Sequence, residues 1–137
     1  MSNKIFLYFI LFASFLISVP VLAENASEIP GPSDFRPVTM SELVSNPDLY
    51  NKERVKLVGE VTEVKYTESG KGEPFTLFKL KDEDDNEVRV YYEDEHLPLS
   101  PGDEVRIMGR YKKEKSYFLY KIKNVIKARY VVKLGDY

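Results

Sequence analysis

The sequence predicts a small all-β domain: a five-stranded Greek-key barrel with a short N-terminal helix, preceded by a signal peptide. Three observations carry that reading. From Arg54 onward, apolar residues recur with a period of two in successive short runs separated by polar, glycine- or proline-bearing segments, the pattern of half-buried antiparallel strands. The first run is long, contains Gly59 and slips phase after Val61, as a strand does when a bulge lets it curl and serve both sides of a barrel. Just ahead of it, Thr39-Met40-Ser41-Glu42 has the spacing of a helix capping box.

In chain order, Met1 to Lys4 carries one positive charge and Ile5 to Leu22 is almost unbroken apolar sequence. Val21-Leu22-Ala23 then precedes the polar Glu24-Asn25. This is the order of a secretory signal peptide over residues 1–23, cleaved after Ala23. The competing reading is an uncleaved anchor, since the apolar run approaches the ~18 residues of a spanning helix. The polar exit favours cleavage, which leaves no membrane span and places the product in the periplasm or outside the cell. Residues 24–38, with Pro30, Gly31, Pro32 and Pro37, form a flexible tether. The domain proper is expected over residues 39–134.

Thr39 caps a helix through Val44 or Ser45, with Met40, Leu43 and Val44 inward, and Asn46-Pro47 ends it. Leu49 and Tyr50 dock the connection to the first strand. Val55, Leu57, Gly59 and Val61 face the core, and Val64 and Tyr66 continue inward after the slip. Thr67 to Pro74 is a polar loop. In the second strand Thr76, Phe78 and Leu80 share one face, Phe75, Leu77 and Lys79 the other. Asp82 to Glu87 is an acidic turn into the third strand, where Val88, Val90 and Tyr92 oppose Arg89 and Tyr91. Val105, Ile107, Gly109 and Tyr111 mark the inner face of the fourth strand, with Arg106, Met108 and Arg110 outside. Lys112 to Ser116 is a charged turn, a fifth strand lies around Tyr117 to Ile122, and an extended segment spans Val125 to Leu134.

Composition narrows the function. The chain has no cysteine, so it has no disulfide, thiolate metal site or cysteine nucleophile, and a lipid anchor on a processed N-terminal cysteine is excluded. Without the leader, 19 basic residues face 22 acidic ones. Glu24 to Asp103 holds 9 basic and 19 acidic residues, whereas Glu104 to Tyr137 holds 10 basic and 3 acidic. Such asymmetry points either to a polyanionic partner or to charges that pair across strands once the barrel closes. Pairing is the reading taken.

The run LVSNPDLYNKERVKLVGEVTEVKY, followed by GEPFTLFKLKDEDDNEVRVYY and LSPGDEVRIMGRY, resembles the OB-fold domains of the tRNA-anticodon-binding-like class, in particular exported stand-alone bacterial versions. The resemblance covers about Ser41 to Val132. It implies an OB-fold barrel and oligonucleotide-type binding. In such folds the usual ligand surface is strands two and three with the loops between strands one and two and four and five. Here that surface would comprise Phe75, Leu77, Lys79, Arg89 and Tyr91, extended by Lys71 and by Lys112, Lys113 and Lys115. Aromatic rings for stacking beside cations for phosphate suit a single-stranded oligonucleotide. The opposing reading covers the aromatics with the N-terminal segment and leaves the lysines as solubilising charges. A net-acidic chain also weakens the counterion-release contribution to nucleic-acid affinity. An envelope protein or glycan on the same face is therefore the alternative partner.

Other chemistry is thinly represented. Asp82, Asp84, Asn86 and Glu93 fall at positions 1, 3, 5 and 12 of a calcium loop, but Glu87 stands where glycine is needed, so a solvated turn is expected. His96, the sole histidine, sits in a loop and outside any haem-attachment pattern. No G-x-S-x-G, H-E-x-x-H or P-loop occurs. The expectation is a monomeric binding module with no catalytic residues, no metal and no cofactor.

Overall fold

The computed structural model describes residues 31–116 and 119–135. The chain divides into two compact units, Met1–Asp34 and Phe35–Tyr137. The expected signal peptide lies outside the described residues, as does most of the expected tether. In the first unit the described residues form a 3-10 turn, Pro32–Asp34, tied by the Gly31 N–H donating to Asp34 Oδ2 at 2.9 Å. Among the described residues no helix is long and apolar enough to cross a membrane.

The second unit begins with Phe35, buried and edge-on against Tyr130 with ring centroids 6.0 Å apart. Strand β1 (Arg36–Pro37) then runs parallel to the start of β2. Helix α1 (Met40–Ser45) carries the capping box: Thr39 Oγ1 accepts the Glu42 N–H at 3.1 Å, and Glu42 Oε1 accepts the Thr39 N–H at 3.3 Å. Met40 and Leu43 are buried and Val44 packs on the core's edge. Asn46-Pro47 does not simply end the helix. Pro47 opens a second one, α2 (Pro47–Tyr50), because its fixed φ suits a first helical position and its missing N–H would have had no partner there. Consecutive residues on that turn point about 100° apart. Tyr50 is accordingly buried, while Leu49, expected to dock, is exposed.

The strands are β2 (Arg54–Glu68), β3 (Pro74–Lys81), β4 (Glu87–Glu93), β5 (Glu104–Ser116) and β6 (Lys121–Lys133). Their order is β1-β2-β3-β4-β6-β5, and β2 pairs again with β5. The pairings β2–β3–β4–β6–β5–β2 therefore form a closed ring, with β4 and β6 parallel and its other pairings antiparallel. Val55, Leu57, Gly59 and Val61 are buried, and the β2–β3 register shifts between Val61 and Glu63, where the sequence slips phase. Val64 stays half-buried, but Tyr66 is exposed rather than inward. The β2–β5 pairing stops at Glu60, so the far end of β2 has little core left to face.

Two expectations at the C-terminal end are corrected. Lys112 to Ser116 continues β5 instead of turning; of the expected fifth strand, Lys121 and Ile122 join the last extended segment in one strand, β6, Leu119 and Tyr120 precede it, and residues 117–118 lie outside the described residues. Beyond the core both faces of this hairpin are wet, so a run of lysines disturbs no packing there. Met108, expected outside, is buried. Its cross-strand partner is Tyr130, the residue on which Phe35 stacks.

Candidate functional site

Cross-strand register builds the site. On the outer face of β3 and β4, Leu77 stands opposite Tyr91 and Lys79 opposite Arg89. On the β2 side Lys65 pairs with Leu77 and Glu63 with Lys79; on the β6 side Lys127 is partner to Tyr91 and Val125 to Arg89. Two adjacent rows result, one aromatic and aliphatic at its centre, the other cationic. The tip of the β5–β6 hairpin supplies a wall with Tyr120 and Ile122, enclosing a groove of about 620 Å³.

Of the residues singled out from sequence, Leu77, Lys79, Arg89 and Tyr91 line this groove together. Leu77 and Tyr91 are half-buried. Phe75 lies on the same sheet face opposite Glu93, outside the groove lining. Lys71 sits in the turn between β2 and β3, where its backbone N–H donates to Ser69 Oγ at 3.2 Å. Lys115 reaches the groove, with Nζ 4.0 Å from the Tyr91 ring centroid. Lys112 is exposed on β5 beyond the lining. Lys113 is drawn elsewhere: its side chain pairs with Asp48, its backbone N–H donates to Asn51 Oδ1 at 3.0 Å, and the Asp48 carboxylate raises its pKa.

The groove is not uniformly cationic. Lys79 is paired with Glu63 at 3.1 Å, and Lys127, beside Tyr91, is paired with Glu93 at 2.8 Å. Among the described residues Arg89 has no ion-pair partner and stands exposed at the groove. Glu63, Lys65, Tyr120 and Ile122 were not among the residues sequence reasoning proposed. Strict alternation after the phase slip would have placed Glu63 and Lys65 outward beside Lys79 and Leu77. Tyr120 and Ile122 were hidden by a misplaced turn.

The remaining candidates are structural. Asp82 Oδ1 accepts the N–H groups of Asp84 and Asn86 at 3.0 and 2.9 Å, and Oδ2 accepts the Asn86 amide at 2.9 Å. Burial pushes the Asp82 carboxyl up, but the Asn86 hydrogen bonds and the Asp84 N–H outweigh it, so its pKa is lowered. Glu93 is occupied at the other end of β4 by Lys127, and among the described residues no three His, Asp or Glu groups gather as metal ligands. His96 Nε2 lies 3.0 Å from the Thr67 carbonyl and its ring lies against Tyr66, fastening a loop.

No family model matches the chain. No curated protein matches it either. Among solved structures the chain is similar to a Leishmania major Friedlin protein assigned as an aspartyl-tRNA synthetase, at 14% identity and TM-score 0.53, over 77% of this chain but 22% of that one. The matched segment is thus less than a quarter of the synthetase's length. The chain is also similar to an OBody in complex with hen egg-white lysozyme, at 20% identity and TM-score 0.51, over 72% of this chain and 93% of that one. A further likeness, to the second OB-fold domain of replication protein A from Methanococcus maripaludis, has 17% identity and TM-score 0.47, covering 64% and 89% of the two chains. At such identities the first two likenesses are likenesses of fold, and the fold they share with this chain is of the OB class.

Proposed function

We propose that this protein is an exported, non-catalytic OB-fold barrel that binds single-stranded nucleic acid along the β3–β4 groove. The observation that carries the reading is one piece of geometry. Tyr91 and Leu77 form an apolar row beside an exposed, unneutralised Arg89, within a groove walled by Tyr120. A single strand needs faces on which bases stack and cations along its phosphates, and rows two residues apart along the strands present both. The signal-like leader supports export, and the absence of nucleophile or acid–base motifs in the sequence supports binding without chemistry.

The charge pairing sets the expected strength. Lys79 and Lys127 are already neutralised, so few phosphate contacts remain, and binding should be modest and lost readily with salt. Fluorescence anisotropy of labelled single-stranded DNA and RNA at two salt concentrations tests this. Tyr91→Ala should weaken binding by about 1–3 kcal/mol, the worth of one stacked base. Arg89→Gln should flatten the salt dependence by about 0.7 in log–log slope. Absence of binding at low salt, with the fold intact, would sink the reading.

The alternative is an envelope protein or glycan on the same face. It is favoured by one observation: an OB-type relative in fold is seen in complex with a protein, lysozyme. Such a partner would bind with weak salt dependence and would tolerate Arg89→Gln.

A further inference from the structure

The Tyr91 ring is not vacant. Near the tip of the β5–β6 hairpin, Lys115 is the cross-strand partner of Ile122, so the two side chains share a face of the hairpin. Ile122 lines the groove, and the Lys115 ammonium lies 4.0 Å from the Tyr91 ring centroid. Leu77 and Lys127 flank Tyr91 in register on either side. The ring is only half-buried, and the Lys115 ammonium lies over it.

Building on the nucleic-acid reading, we infer that Lys115 is the groove's internal occupant of the Tyr91 ring. Its ammonium holds the place where a base would stack, and an incoming strand must displace it. Once displaced, the ammonium is still tethered at the groove by the hairpin and can meet a phosphate oxygen. Lys115 thus exchanges ring for phosphate, and stacking at Tyr91 is coupled to a backbone contact by the same side chain. A strand that offers a base but no nearby phosphate gains less, because the ring contact is lost without replacement.

Magnitudes permit the exchange. An exposed cation–ring contact is worth about 2- to 5-fold in an equilibrium, whereas a stacked base is worth about 5- to 100-fold. The base wins, at a discount set by the lysine. A lysine that only contacts phosphate would behave differently, since its removal would weaken binding at every salt concentration.

The test is the salt dependence of binding, by anisotropy, of a labelled oligothymidylate of about 12 nucleotides to the full chain and to Lys115→Ala. Loss of one phosphate contact should make the log–log slope shallower by about 0.7. The two lines should also cross: the unsubstituted protein binds tighter at low salt, and Lys115→Ala binds about 2- to 5-fold tighter at high salt, where the phosphate contact is screened. Lys115→Arg, which keeps a cation over the ring, should follow the unsubstituted protein. In a Tyr91→Leu background the high-salt gain should vanish. Lines that never cross, or a gain that survives Tyr91→Leu, overturn the inference. A measurement on the free protein separates the two layers: the Lys115 ε-protons should be shifted upfield by the Tyr91 ring current and return in Tyr91→Leu. If the ring current is present but no oligonucleotide binds at low salt, the nucleic-acid reading is what fails and the displacement step falls with it. If binding occurs and no ring current is seen, the internal-occupant inference alone fails.

Discussion

Apart from the tyrosines, Thr76 is the one fully buried polar side chain among the described residues, and its position accounts for it. The hydroxyl donates to the Glu95 carbonyl at 2.7 Å and accepts the Leu97 N–H at 2.8 Å. One side chain on β3 thereby satisfies two backbone groups of the loop that joins β4 to β5, a loop without regular structure of its own. A buried hydroxyl would be costly without partners; with both lone-pair and proton engaged it acts as a clasp. Thr76→Val keeps the shape and the strand preference but leaves the carbonyl and the N–H to find water. A loss of about 1 kcal/mol is expected, read as a lower urea midpoint, together with faster hydrogen exchange at the Leu97 amide. Unchanged exchange at Leu97 would show that the clasp is not what holds the loop. The same loop is fastened again by Tyr66, whose hydroxyl donates to the Leu97 carbonyl, which gives a tyrosine on a solvated strand end a structural role.

At the level of elements, Gly109 shows why the ring of strands can close. The β5–β6 register shifts between Met108 and Gly109, leaving Arg129 as the extra residue on β6. At that bulge the backbones approach so closely that a Cβ on Gly109 would lie 2.2 Å from the Lys127 carbonyl oxygen and 2.8 Å from the Ala128 Cα. Gly109→Ala should therefore destabilise by about 1–3 kcal/mol, toward the upper end because backbone rather than a side chain must move. Gly59→Ala should cost less, since its nearest neighbour is the flexible end of Met40. Equal midpoints for these two variants in chemical denaturation would contradict the assignment. Much of this architecture was legible: the period of two gave the inner faces of β2 to β5 except at Tyr66 and Met108, the phase slip gave the bulge after Val61, and the capping box gave α1. The site was half legible. Leu77, Lys79, Arg89 and Tyr91 follow from alternation and one correct hairpin register. The wall formed by Tyr120 and Ile122 did not, because Lys112 to Ser116 carries five charged or polar side chains in a row, and such a run is equally compatible with a turn and with a hairpin that projects beyond the core. Burial of Met108 was equally hidden, as its cross-strand partner Tyr130 meets Phe35 only across a long stretch of sequence.

For the whole molecule, folding pairs part of the uneven charge along the chain. Lys113 pairs with Asp48, Lys127 with Glu93 and Lys133 with Asp103, each joining the basic C-terminal stretch to the acidic part before it. These pairs are solvent-accessible and each contributes little to stability, but together they remove three lysines from the pool that could attract a polyanion. The pH dependence of stability is governed instead by groups whose pKa values the fold shifts. Asp82, with its pKa lowered by the turn's hydrogen bonds, contributes stability present at neutral pH and lost as acid protonates it. Tyr111 acts at the other extreme. It is fully buried, its hydroxyl donates to Asn124 Oδ1, and burial, with the Asp48 charge nearby, pushes its pKa up to about 12. Its proton is thus retained in the folded state at a pH where the unfolded chain has released it. By linkage, the unfolded state then binds fewer protons and stability falls as pH rises. The contribution is intact below about pH 10, the ordinary tyrosine value, and is lost progressively up to about 12. Tyr111→Phe removes this proton while also removing the Asn124 hydrogen bond. The variant should therefore be less stable at neutral pH, yet its stability should decline less steeply between pH 10 and 12, by about one proton per molecule in the slope. Denaturation free energies measured across that alkaline window for both proteins decide the matter, and parallel curves would show that Tyr111 ionises in the folded protein as freely as in the unfolded chain.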